Sequence, residues 1–411
     1  MRDLRIGCHV PLGDGRRAGL VLALGLAVFF AADRAATADS LSNGKLQWPY
    51  LVPGHGLENA CPKAAAELPE SVGRIIYASE AGQGDGIARE TAASLEEAIW
   101  MAEPGDSIVL LPGSYGELAW PPELSGTETD PITLRAEHPA VQISGEAPDL
   151  VATPADTSLV SAVSLQLHEA HYVRIDGIFG RIQVHKGSHI ELVNNHHLGN
   201  DGQNIELAGS TDVSIHGSLI ENFELRPGYA ESWLTDYGAA NYYQQRVAYH
   251  NNVFNGGFNH AISLKTNNSD ITISCNRFNN CGRRCIELGQ QTDGRLPGDE
   301  PTDRTSERVL VKRNLFEMTD ETYVNADYPV MIMNADDVVL EENRFTGPFA
   351  HSILLSNYWE PTYCSSTGEM MSQVGVQPNF VRIADNHFEG STKIRITGRG
   401  VVGDTVEIGK V

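Results

Sequence analysis

From about residue 75 onward, apolar and polar positions alternate with a period of two, in short runs broken by Gly, Asn, Asp and Pro. "SIVLL" (Ser107–Leu111) and "ITISC" (Ile271–Cys275) are typical, and the pattern predicts strands. One phrase recurs: apolar-x-apolar, two residues, then Asn-x-Phe. It reads "VAYHNNVF", "ITISCNRF", "VLVKRNLF", "VVLEENRF" and "VRIADNHF". Aligned on its Asn, the phrase falls at Asn252, Asn276, Asn314, Asn343 and Asn386, with looser copies at Gly177, Asn195 and Ser218. Steps between copies run from 18 to 43 residues and the shortest cluster at 18–24, the longer ones being the same unit with an insertion. A period in this range marks a solenoid. Only one stretch reads as a helix. Ser94 and Glu97 form a capping box, Leu95, Ala98, Ile99 and Ala102 share one face, and Pro104-Gly105-Asp106 ends the run.

Units of short Val-, Ile- and Thr-rich strands without a helical pattern predict an all-β fold, a parallel β-helix with a short N-terminal capping helix. In stacked coils, equivalent residues lie about 4.8 Å apart. Each Phe is then expected to point inward and stack on the Phe of the next coil. Each Asn is expected at a turn, in the left-handed conformation, bonding its neighbours in a ladder.

Composition narrows the function. The chain has 411 residues, 41% hydrophobic and 20% charged, with a formal net charge of -23. That suits a large core and argues against nucleic acid as a partner. Residues 1–38 read as an export signal, with Arg16 and Arg17, the apolar run Leu20–Ala32, and small residues Ala36–Ala38 before Asp39. The run is short of the roughly 20 residues a membrane span needs. The expected division is a signal peptide at 1–38, an irregular segment at 39–74 and a β-helix domain at 75–411. The mature chain is expected to be periplasmic or secreted, without a membrane span, and a monomer. It would keep Cys61, Cys275, Cys281, Cys285 and Cys364, of which Cys281 and Cys285 are close enough to pair.

A second strand precedes each Asn phrase. In "NIELAG", "AISLKT", "CIELGQ" and "PVMIMN", alternation turns Ile205, Leu207, Ile262, Leu264, Ile286, Leu288, Val330 and Ile332 inward. Glu206, Ser263, Glu287 and Met331 face outward, with Lys265 one step on. Such a stripe is a place for a sugar chain to lie. Lys265 is the leading catalytic candidate, with Arg283, Arg284 and His260 beside it. Glu206, Glu287 and His250 are candidate substrate contacts, as are Trp233, Tyr237 and Tyr242 in or beside the aromatic insertion Glu221–Gln245. A basic side chain can take the proton α to a uronate carboxyl while a second cation, or Ca²⁺, holds the carboxylate. The acidic loop Asp293–Arg308, with Asp293, Asp299, Glu300 and Asp303, offers oxygen ligands for Ca²⁺.

"LEEAI…PGDSIVLLPGSY" followed by these coils resembles the pectate-lyase-type right-handed parallel β-helix superfamily, over roughly residues 75–390. The resemblance implies a right-handed coil and a carbohydrate-active protein. "HAISLKTNNSDITISCNRF" also resembles the catalytic-lysine coil of the alginate lyase and chondroitinase B family, which implies that Lys265 is the base. That family carries acidic Ca²⁺ ligands seven and five residues before its lysine. Phe258 and His260 stand there in this chain. Its catalytic arginine would fall near Glu287 or Leu288, and Arg284 is the nearest one. The expected function is a polysaccharide lyase acting on an acidic polysaccharide. A noncatalytic glycan-binding or surface protein, a C5-epimerase and a glycoside hydrolase are the alternatives on the same fold.

Overall fold

The computed structural model describes residues 73–198, 203–222, 237–256, 260–282, 284–289, 306–319, 328–333, 335–349, 351–356, 379–390, 394–397 and 406–408. All of them belong to one compact unit, Val52–Glu360 with Gln373–Val411. The expected signal peptide and nearly all of the irregular segment lie outside the described residues.

Alternating strands close on themselves in coils. Each full coil contributes one strand to each of three sheets, as in His260–Thr266, Asn268–Ser274 and Arg277–Asn279. The strand before the Asn phrase builds a 10-stranded sheet running from Gly113–Trp120 to Ile394–Thr397. The phrase's own apolar half builds a 12-stranded sheet from Ile75–Ala78 to Val406–Ile408, and its Phe half builds a 7-stranded sheet from His196–Leu198 to His387–Gly390. Neighbouring strands in all three are parallel. This is a right-handed parallel β-helix. The expected helix, Leu95–Met101, has its capping box in place, with the Glu97 N–H donating to Ser94 Oγ. It buries Leu95, Ala98 and Ile99 against the first coil and closes the N-terminal end of the core.

The core is built from columns. Ile205, Leu207, Ile262, Leu264, Ile286, Leu288, Val330 and Ile332 are all fully buried, as alternation requires. Phe254, Phe278, Phe316, Phe345 and Phe388 form one face-to-face column, with successive centroids 4.8, 5.0, 4.7 and 5.0 Å apart. Each buried Phe contributes roughly 1.5–3 kcal/mol through lost water contact. Ile220 and His197 continue the column toward the N-terminus.

The Asn ladder forms as expected. The backbone N–H of Asn252 donates to Asn276 Oδ1 at 3.0 Å, that of Asn276 to Asn314 at 2.9 Å, that of Asn314 to Asn343 at 3.0 Å, and that of Asn343 to Asn386 at 3.0 Å. Two details differ from expectation. The left-handed residue is the one before the ladder Asn: Asn251, Cys275, Arg313, Glu342 and Asp385 carry φ of 54–60°. The first loose copy is also shifted by one. Gly177 takes the left-handed position at φ 72°, and Ile178 sits in the ladder register with its N–H donating to Asn195 Oδ1. Glycine there supplies a backbone conformation and no ladder side chain.

A hairpin that the repeat did not foretell, Val141–Ser144 with Val151–Pro154, is the one antiparallel pair among the described residues. Its Val141 and Leu150 pack on Leu219 and Val253 of the 7-stranded sheet. Cys281 and Cys285 form a disulfide at the turn leading into Arg284.

Candidate active site

Strand register on the 10-stranded sheet places Gln183, Glu206, Ala240, Ser263, Glu287, Met331 and Leu354 in one outward row, one residue per coil. The predicted alignment of Glu206, Ser263, Glu287 and Met331 therefore holds. Lys265 departs from the regular pairing. Asn241 pairs with Leu264 and Tyr242 pairs with Thr266, so Lys265 is the extra residue of a β-bulge. A bulge bends the strand and re-aims a side chain. Lys265 is only 3% exposed, and its Nζ lies over the Tyr242 ring, 5.4 Å from the centroid. Withdrawing an ammonium from water is costly, and the ring face returns part of that cost, about 0.5–2 kcal/mol. Lys265 is thus an anchored group, and the expectation of a freely projecting lysine is corrected. Tyr242, itself 1% exposed, accepts a hydrogen bond at its hydroxyl from Gln203 Nε2 at 3.4 Å.

Between this coil and the next, three charged or titratable groups meet. Glu287 Oε1 accepts a hydrogen bond from Arg284 Nη1, and Glu287 Oε2 lies 2.7 Å from His260 Nε2. Arg284 Nη1 is 3.2 Å from the same His260 nitrogen. His260 stands directly across from Arg284 in the ladder of backbone pairs, so the network ties two coils together. Glu287 and His260 are each 1% exposed and the Arg284 side chain 13%. Glu287 was expected as a substrate contact on the surface, and its burial in an ion pair corrects that.

Glu206 faces a different set. Gln183 Nε2 donates to its Oε2 at 3.3 Å and His185 Nε2 lies 3.7 Å from its Oε1. Three strand spacings separate it from Glu287, about 14 Å along the sheet. An inverting hydrolase needs its carboxyls roughly 6.5–9.5 Å apart, a spacing that these two strand positions do not match.

His250 is not part of this cluster. It lies on the 12-stranded sheet, its ring stacked on His216 at 4.6 Å and its Nε2 3.4 Å from Ser214 Oγ. The strand Val253–Gly256 of the 7-stranded sheet lies between it and the strand that carries His260. Tyr237 pairs by backbone with Gln203 and His260 on the 10-stranded sheet. Trp233 and Arg283 lie outside the described residues, as do Phe258, Asp293, Asp299, Glu300 and Asp303.

The described donors around His260 do not suit Ca²⁺. His260 occupies one position where the resembling family has a carboxylate, and it faces the Arg284 guanidinium, a cation. Ca²⁺ takes six to eight oxygen ligands, and among the described residues no group of three or more His, Cys, Asp or Glu is placed to hold a metal ion.

Sequence reading missed Ser263 as a chemical group. It is fully buried beside Glu287 in the outward row, and its Oγ has no hydrogen-bond partner among the described residues. The bulge was legible in principle: 23 residues separate Ala239 from Ile262 but 24 separate Val247 from Ile271, so one residue is inserted between those strands.

No protein-family model matches this chain, and no curated protein sequence does. Solved structures do resemble it. An alginate lyase from Paenibacillus sp. str. FPU-7 superimposes with a TM-score of 0.52 at 15% identity, covering 81% of this chain and 99% of that one. A glycoside hydrolase gives 0.48 at 10% identity, with 82% and 96% covered. A surface adhesin of Streptococcus pneumoniae gives 0.44 at 12% identity, with 81% and 89% covered. The chain has the pectate-lyase-type right-handed parallel β-helix fold. Likeness at this identity establishes the fold, and function rests on the site itself. On this β-helix the site offers an amine, a phenol, a guanidinium, an imidazole and a carboxylate over two adjacent coils and the one before them. Such a set can move a proton and neutralise an anion.

Proposed function

We propose that this protein is a carbohydrate-active β-helix that cleaves an acidic polysaccharide by β-elimination, with Lys265 as base and Arg284 as the partner of the substrate carboxylate. The observation that supports it best is the β-bulge at Lys265, on the strand that pairs with the one carrying Arg284. In this reading the neutral Lys265 amine takes the proton α to the uronate carboxyl. The electron pair left behind moves into the carboxylate, whose developing charge Arg284 stabilises. It then returns to form the ring double bond as the bond to the leaving sugar oxygen breaks. That oxygen takes the proton back from Lys265. The products are an unsaturated sugar end and a new chain end, with no water consumed. A lysine and an arginine supply base and anion stabiliser without a metal ligand set. The chain is taken to be exported, in keeping with the run Leu20–Ala32. Among the described residues no helix is long and apolar enough to cross a membrane.

The test is absorbance from unsaturated product with alginate, pectate and glycosaminoglycans, for the purified protein and for Lys265→Ala. Turnover on one of them, lost in the variant with an unchanged melting temperature, supports the proposal. Absence of unsaturated product on all of them over a range of pH sinks it. A second reading, a noncatalytic glycan-binding surface protein, is favoured by one observation. Arg284 already holds Glu287, and the Lys265 amine is largely withdrawn from solvent. Glycan retention on an affinity matrix, equal in both forms and without turnover, is its signature.

A further inference from the structure

We infer that Glu287 is a positioning residue, which fixes the Arg284 guanidinium in the orientation that meets a substrate carboxylate and does not itself touch the sugar. This rests on the reading that Arg284 binds that carboxylate. Three observations carry it. First, both Glu287 oxygens face protein groups, Oε1 toward Arg284 Nη1 and Oε2 toward His260 Nε2 at 2.7 Å, and the residue is 1% exposed. A sugar hydroxyl would have to displace an ion pair to reach it. Second, exposure is graded through the cluster: 1% for the carboxylate and the imidazole, 13% for the arginine side chain. The arginine side chain is the most exposed member of the three. Third, Glu287 and His260 converge on one nitrogen, Nη1, from two coils. The Glu287 contact at one corner of the planar fork sets the direction of its other edge. A guanidinium recognises a carboxylate by paired, coplanar hydrogen bonds, so its angle governs the strength of that contact. A misplacement of about 1 Å can cost a hundredfold in rate.

A carboxylate held beside the arginine also competes for its charge. Orientation and charge are separable, because aspartate keeps the charge and withdraws the carboxylate by one methylene. Glu287→Asp is therefore the informative variant, with Arg284→Lys, which keeps the cation and loses the fork, as a second variant should the first not fold.

The experiment is calorimetric titration with oligogalacturonate and oligomannuronate, in the full chain carrying Lys265→Ala so that the ligand stays intact. Glu287→Asp is expected to weaken binding of the recognised oligouronate at least tenfold. Added to Arg284→Ala, it is expected to change binding less than twofold, because a residue that acts through Arg284 has nothing to position once that side chain is gone. In the active chain, Glu287→Asp is expected to lower kcat/KM for the free acid at least tenfold more than for its methyl ester, a shift that a purely structural ion pair would not produce. Binding of Glu287→Asp within twofold of its parent, or additive losses in the double variant, would overturn this inference and leave the lyase reading standing. Coupled losses without turnover in the active chain would uphold it and remove the lyase reading. Failure of the Lys265→Ala parent to bind either oligouronate, or a glycosaminoglycan oligosaccharide in the same titration, would overturn both.

Discussion

Replacing Asn276 by Ala tests the ladder at its centre. The side chain makes four hydrogen bonds and is fully buried. Its Oδ1 accepts from the Asn252 backbone N–H at 3.0 Å and from Asn252 Nδ2 at 3.1 Å. Its Nδ2 donates to the Tyr249 carbonyl at 2.9 Å and to Asn314 Oδ1 at 3.0 Å. Two of these partners keep a second contact: Asn252 Nδ2 still reaches the Ile215 carbonyl, and Asn314 Oδ1 still accepts from the Asn276 backbone. The Asn252 N–H and the Tyr249 carbonyl lose the partner the side chain gave them. A buried group left unpaired costs about 1–3 kcal/mol, so Asn276→Ala should cost about 4 kcal/mol. That is a large share of the 5–15 kcal/mol that holds a typical domain folded. Asn276→Asp should cost more than Ala at neutral pH, because a carboxylate oxygen would then face the Tyr249 carbonyl and Asn314 Oδ1. Equilibrium urea unfolding followed by circular dichroism measures both, with Glu128→Ala on the surface as a control expected within about 0.5 kcal/mol of the parent. A cost below about 1 kcal/mol for Asn276→Ala would refute the claim that the ladder stabilises the coils through paired buried groups.

Further outcomes follow from the core and the site. Phe316 lies between Phe278 and Phe345 at 5.0 and 4.7 Å, and Phe316→Ala should cost about 3–5 kcal/mol in the same assay; a loss near that of an exposed residue would contradict the column. Burial holds the His197 imidazole down to about 4, opposed by its contact with the Gly180 carbonyl. Its folded value lies below the unfolded one of about 6.5, so its contribution is complete above that pH and is lost as pH falls toward 4. At 1.36 kcal/mol per unit the loss is roughly 3 kcal/mol. His197→Ile, matching Ile220 on the next coil, should lose less stability than the parent between pH 7 and pH 4, and equal losses would count against the assignment. Chelation of divalent cations should leave turnover within about twofold. Loss on chelation with recovery on added Ca²⁺ would show that oxygen ligands beyond this cluster serve the site.

The fold was legible because every coil repeats the same assignments. Apolar residues two apart face inward, a Phe enters the column and an Asn enters the ladder, so a short phrase copied five times specifies a stack. Errors came where one residue type can do two jobs. Gly177 was aligned with the ladder Asn, but glycine's value there is its left-handed backbone, and Ile178 holds the ladder position with only its N–H. The left-handed conformation itself falls on Cys275, Arg313 and Glu342, residue types that carry no sign of it in the sequence. His250 was grouped with His260 because ten residues separate them. In a coil of this length ten residues include a turn and a change of sheet, so closeness along the chain puts groups on different faces.

The site shows a deeper reason for partial legibility. Period-two alternation and register were enough to bring Glu206, Ser263 and Glu287 into one row, with His260 and Arg284 paired three residues earlier on the same two strands. Alternation reports only that a side chain leaves the core. Whether an outward carboxylate meets water, as the stripe suggested for Glu287, or a guanidinium from three residues away depends on rotamers that no periodicity encodes. Lys265 makes the same point from the other side. It is distinguished by breaking the repeat: the inserted residue disturbs pairing between Tyr242 and Thr266 and turns the amine onto the phenol ring. In a solenoid the regular positions are largely taken up with stacking, and a bulge re-aims a side chain that the repeat would otherwise place. Counting residues between equivalent inward positions on successive strands finds such irregularities directly. Here the count changes from 23 to 24 at the strand pair flanking Lys265.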